Sequence, residues 1–95
     1  MAALWIAHID VTDEDRYGAY VAKATDVIAG HGGEFIARGG RYEQVEGRDH
    51  PRNVVVRFPT FEAASDCYHS DEYQAIVGDA IAGSDRSVAI VETSD

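Results

Sequence analysis

Ninety-five residues make one domain, residues 1–95, and a chain this short buries only about 60–65% of its unfolded surface, so its own core is thin and a second copy is an ordinary remedy. Eight basic residues against seventeen acidic ones leave a net charge of −9, the wrong sign for nucleic-acid phosphate. No apolar run approaches the ~20 residues that cross a bilayer and no basic leader precedes Leu4, while the one cysteine, Cys67, excludes an internal disulfide; the chain reads as soluble and cytoplasmic, with no membrane and no nucleic acid among its partners.

The run from Ala3 to Val11 is apolar with late alternation, the pattern of a central strand. Thr12 is placed to cap a helix, with Asp15 three residues on and Asp13 and Glu14 in the first turn. Tyr17, Tyr20, Val21, Ala24, Val27 and Ile28 then recur at three- and four-residue steps, which predicts that helix over 13–31, ended by the glycines from Gly30 to Gly33. A second strand comes next, near 33–38, and the pair Gly39-Gly40 calls for a positive φ or a bulge, since nothing else explains paired glycine inside a strand run. Tyr42, Gln44 and Val45 extend this strand toward a turn at residues 46–49.

Pro51 suits a strand entry, and the run from Arg52 to Phe58 is the most β-prone in the chain. Thr60 caps a helix carrying Ala63, Ala64, Cys67 and Tyr68 on one side, and Ser70 caps a second, with Tyr73, Ile76, Val77, Ala80 and Ile81 as its stripe. After a turn at 83–85, residues 87–92 form the last strand. The order β-α-β-β-α-β, with right-handed crossovers, predicts a ferredoxin-like α+β fold: an antiparallel sheet of order 4-1-3-2 with helices on one face.

Strand alternation then divides the sheet. Trp5, Ala7, Ile9, Phe35, Ala37, Val54, Val56, Phe58, Ala89 and Val91 form an apolar set for the helices, leaving Leu4, Ile6, His8, Ile36, Arg38, Val55, Arg57, Val88, Ile90 and Glu92 for the other face. The aliphatic members of that second set represent roughly 9–18 kcal/mol of gross burial at about 1.5–3 kcal/mol each, and no element remains to cover them. A homodimer closing sheet against sheet is the expected cover. His8, Arg38, Arg57 and Glu92 share this face, where they either pair with one another or line a pocket for a small anionic or carbonyl-bearing metabolite. Arg38 and Arg57 repel each other on one apolar face unless an anion lies between them.

The segments Trp5-Ile6-Ala7, Asp10-Val11-Thr12, Gly33-Glu34-Phe35, Ala37-Arg38-Gly39-Gly40, Val54 to Pro59, and Tyr68-His69-Ser70-Asp71-Glu72-Tyr73-Gln74 together resemble a bacterial family called domain of unknown function 1330. The resemblance covers nearly the whole chain and departs at Asp71, where the family pattern has proline. It implies a dimeric α+β barrel, in which two ferredoxin-like sheets pack face to face. Relatives in the wider superfamily include cofactor-free monooxygenases, isomerases and haem enzymes.

No motif names a reaction. Gly30-His31-Gly32-Gly33 ends a helix, so it is no dinucleotide fingerprint, and Gly39-Gly40 lacks the lysine and hydroxyl of a phosphate loop. His8, His31, His50 and His69 have no metal-ligand spacing, so neither metal nor cofactor is expected. Two readings stay open. In one, a cofactor-independent enzyme uses His8 or His69 as base, with Arg38 or Arg57 holding an enolate or carboxylate. In the other, the same residues and Glu92 hold a metabolite without chemistry, or only pair internally across the dimer.

Overall fold

β1 (Ala3–Val11) buries every second side chain, Ala3, Trp5, Ala7 and Ile9, which commits it to the middle of a sheet with one covered face. In the computed structural model, which describes residues 1–95, it lies between β3 (Arg52–Phe58) and β4 (Ser84–Glu92), with β2 (Glu34–Arg38) on the outer side of β3. The order β2-β3-β1-β4, antiparallel throughout, is the expected 4-1-3-2 read from the other edge. α1 (Glu14–Gly30), α2 (Phe61–His69), α3 (Asp71–Gln74) and α4 (Val77–Ala82) cover one face. None of these helices is long and apolar enough to cross a membrane.

Local chemistry explains the element ends. Asp13, not the expected Thr12, caps α1, accepting from the Arg16 amide at 3.2 Å. Thr12 and Asp13 instead donate their own amides to the Gly83 carbonyl at 2.9 and 3.0 Å, which joins the start of α1 to the end of α4. Thr60 and Ser70 cap α2 and α3 as their sequence positions predict, accepting from Ala63 and Tyr73.

The core lies between sheet and helices. Trp5 stacks on Phe58 with ring centroids 5.9 Å apart and meets the edge of Tyr73 at 5.1 Å. Cys67 is wholly buried and burial pushes its thiol up to about 11, so it is an inert packing residue.

Three departures from the sequence reading matter for the site. First, β2 carries a bulge between Phe35 and Ala37, so Ile36 is an inserted residue and the strand changes phase there. Gly39 has the expected positive φ, +67°, and its amide bonds the Asn53 carbonyl at 2.9 Å. Second, Tyr42, Gln44 and Val45 do not extend β2; residues 39–51 form an irregular loop. The loop is tied down by Arg48, which donates to Asp10 at 2.9 Å and Asp85 at 2.7 Å. Those two aspartates are register partners, so Arg48 neutralises a like-charged pair. Third, β4 starts at Ser84 rather than 87, and its phase is the reverse of the expected one. Val88 pairs with Ala7 and Ile90 with Trp5, so both face the helices, while Ala89 and Val91 face the open side.

Candidate functional site

The expected grouping of His8, Arg38, Arg57 and Glu92 on the open face does not form. His8 and Arg57 are there, on β1 and β3. The His8 Nδ1–H donates to Asn53 Oδ1 at 2.7 Å, and the Arg57 guanidinium lies 3.7 Å from Asp95. Arg38 is not with them: the bulge pairs it with Val54, on the helix side of the sheet. There its guanidinium lies 4.1 Å above the Phe35 ring and donates to Thr25 Oγ1 of α1. Glu92 pairs with Ala3 in helix-side phase, exposed at the sheet end. His69 ends α2 on the helix side, across the sheet from His8.

Charge gathers instead beneath α1. Ile9 is flanked in register by Arg52 on β3 and Arg86 on β4, so two arginines stand on either side of β1 in one row facing the helices. With Arg38 they line a chamber of about 30 Å3 walled by Trp5, Tyr17, Tyr20 and Phe35. Such a volume admits a water or two, not an organic molecule. Arg86 donates to the Tyr73 hydroxyl at 3.1 Å and lies 5.1 Å from the Tyr20 ring centroid, and the Tyr20 and Tyr73 hydroxyls are 2.6 Å apart. Arg52 lies 5.8 Å from the Tyr17 ring centroid, and its Nε is buried with no hydrogen-bond partner.

The ion pairs elsewhere sharpen the contrast. Arg16, Arg48 and Arg57 each hold a carboxylate at the surface. Arg38, Arg52 and Arg86 hold none, in a chain whose acids outnumber its bases by more than two to one. Lys23 and Arg41 are also unpaired and are exposed, as Arg38 is, but neither lines the chamber. Burial raises the phenols of Tyr17 and Tyr73 above their ordinary range despite the cation beside them. Burial works against the Arg86 charge too, yet the phenols, Tyr73 foremost, keep it protonated. The result is a half-buried cationic surface at Arg52 and Arg86, with Arg38 at its exposed edge and tyrosine hydroxyls beside it, suited to meeting a carboxylate, an enolate or a phenolate.

Two wider spaces adjoin the chamber. A groove of about 430 Å3 runs along α1, sharing Tyr17, Val21 and Arg52 with it and presenting Glu14. A cleft of about 270 Å3 lies at the ends of α2 and α4 against β4, sharing Arg86 and containing His69. Sequence reasoning missed Arg52, Arg86, Tyr17, Tyr20 and Tyr73 as a group. The available signal was Arg86 itself, two residues before Val88 on a strand that runs back to Ser84.

The fold is a ferredoxin-like α+β one, and several solved structures share it. A protein of unknown function from Rhodopseudomonas palustris, RPA0582, superposes with a TM-score of 0.79 at 13% identity, over 99% of this chain and 83% of that one. SnoaB, a cofactor-independent oxygenase from Streptomyces nogalater, does so with a TM-score of 0.68 at 10% identity, over 99% and 94%. Rv0793 from Mycobacterium tuberculosis gives 0.59 at 17% identity, over 100% and 97%. At these identities the likeness shows the fold alone. The chain belongs to the family described as Domain of unknown function (DUF1330), which matches residues 2–94. No curated protein matches its sequence.

Proposed function

We propose that the chain works as a cytoplasmic homodimer that takes a small organic anion against the arginines on the helix side of its sheet and turns it over without a bound cofactor. The observation that carries this reading is the set of three unpaired arginines, Arg38, Arg52 and Arg86, converging on one chamber in an acidic protein. Guanidiniums with no carboxylate of their own are open to an anion, and Arg86 and Arg52 each also line a wider space beside the chamber. A guanidinium held by Tyr20 and Tyr73 is also oriented before any ligand arrives, so it can stabilise negative charge developing on a carbonyl oxygen. His69 is the base on that side of the sheet, and Arg38 keeps its expected ligand-binding role with a different set of neighbours. The fold shared with SnoaB supports oxygen as the second reactant.

Calorimetric titration with small carboxylates tests the anion site. Arg86→Met should weaken binding at least about tenfold, and Arg86→Lys should restore it only in part because the bidentate fork is lost. Oxygen uptake on enolisable substrates then separates an enzyme from a binding module. Unchanged binding in Arg86→Met would sink the reading.

The open face supports the dimer. Leu4, Ile6 and Val55 are half-buried there with nothing over them, and Ile36 and Val91 are 51% and 49% exposed. His8 and Arg57 lie on this face, where a partner sheet would meet them. Light scattering at micromolar concentration should give about twice the 10.3 kDa chain mass. Ile6→Glu should return a monomer of lower stability, because a carboxylate would be closed into an apolar interface. A monomeric mass for the unaltered chain refutes the dimer.

A further inference from the structure

Arg86 belongs to two spaces of unlike size. The chamber under α1 has about 30 Å3 of free volume and takes an organic ligand only if α1 moves. The cleft on the other side of the same guanidinium has about 270 Å3 and is open as it stands. Its floor is Val88 and Ile90 of β4, half-buried in their phase-reversed positions, and its rim is Ile81 of α4, 61% exposed. Its titratable lining is Tyr68, His69 and Arg86, with no carboxylate. The groove along α1 differs on this point: Glu14 is part of its lining along with Arg52, so an arriving anion meets a like charge.

An exposed isoleucine above two aliphatic floor residues, with a cation at one end, is the complement of an amphipathic anion. We propose that the cleft between the end of α2, α4 and β4 binds an organic monocarboxylate with an apolar body. Its carboxylate lies on Arg86 beside His69, and its body covers Val88, Ile90 and Ile81. This rests on the anion reading above and adds to it the seat, the orientation and the class of ligand. Tyr20 of the chamber wall and the buried Tyr73 then serve as positioning residues, accepting from Nη1 and Nη2 of the guanidinium that the cleft shares.

The test compares acetate with hexanoate by calorimetry on the full chain and on three variants. Hexanoate should bind at least about tenfold tighter than acetate, since its added methylenes leave water on the cleft floor. Ile81→Glu replaces an exposed rim residue by an opposing charge and should weaken hexanoate at least about tenfold. Gly18→Leu fills the α1 groove instead, where an added Cβ meets nothing within 4 Å, and should leave hexanoate affinity unchanged. Arg86→Met should weaken binding of both acids at least about tenfold. If Gly18→Leu weakens hexanoate while Ile81→Glu does not, the seat is the α1 groove and this proposal is wrong. It is equally wrong if the two acids bind alike. Binding unchanged by Arg86→Met, or no binding of either acid, overturns the underlying anion reading as well.

Discussion

Gly83→Ala should destabilise the protein by about 3 kcal/mol or more, at the upper end of the overpacking range. A Cβ at this position would lie 2.8 Å from the Asp79 carbonyl oxygen, 3.0 Å from the Tyr17 amide nitrogen and 3.1 Å from the Asp13 carbonyl oxygen. All three are backbone atoms inside helix ends, so no side-chain rotation relieves the contact. Relief would have to separate α4 from α1 at the point where the Gly83 carbonyl accepts both the Thr12 and Asp13 amides. A domain of this size has about 5–14 kcal/mol of total stability, so the melting temperature should fall by roughly 12 °C or more. Gly18→Ala is the control: nothing lies within 4 Å of its added Cβ, and in mid-helix the change should stabilise by up to about 1 kcal/mol. Thermal melts of the pair decide the matter, and a Gly83→Ala melt within about 2 °C of the parent would show that the α1–α4 junction yields easily.

The protein should also lose stability steeply in alkali. Burial, ahead of every other influence, raises the phenols of Tyr17 and Tyr73 above the ordinary value of 10.0. The folded chain therefore keeps both protonated at pH values where the unfolded chain has released them. Between the unfolded and folded values the unfolded state binds fewer protons, so stability falls as pH rises; the contribution is complete below pH 10 and is eroded above it. A group shifted as far as Tyr73 contributes a slope of up to about 1.4 kcal/mol per pH unit, and Tyr17 adds to it in the same direction. Urea midpoints measured across that window, with phenolate absorbance as the probe of ionisation, should show phenolate appearing together with unfolding. Tyr73→Phe should remove the larger part of the slope, at a cost near neutrality of about 1–3 kcal/mol for the partners it leaves on Tyr20 and Arg86. Stability that stays level from about pH 9 to pH 11 would contradict the burial of these phenols.

The fold was legible because its signals are redundant. The stripe on α1, the caps Thr60 and Ser70, and the β-prone run in β3 each specify an element without help from the others, and their order leaves one common topology. The site was much less legible, for two physical reasons. In β4, Val88, Ala89, Ile90 and Val91 are all apolar, so alternation offers no contrast and only pairing with β1 sets the phase. In β2, the bulge falls at Ile36, which nothing local marks, whereas the glycines that draw attention lie three residues later. Both phase errors moved the helix-side residues: one removed Arg38 from its real neighbours, and the other hid Arg86 by leaving its strand unextended. The tyrosines of α1 and α3 read as ordinary core stripe until the arginines beneath them are placed.

The inserted residue in β2 also bears on how this chain is compared with others. Upstream of Ile36, odd-numbered positions look toward the helices; downstream, even-numbered ones do. Losing or gaining a single residue in that short edge strand would move the Arg38 guanidinium from the helix side of the sheet to the open side. An alignment gap placed one position away from the true one would pair the cationic lining of one homologue with the solvent face of another. Inheritance of the chamber can therefore be followed only through superposed backbones, with strand identity alone being blind to it.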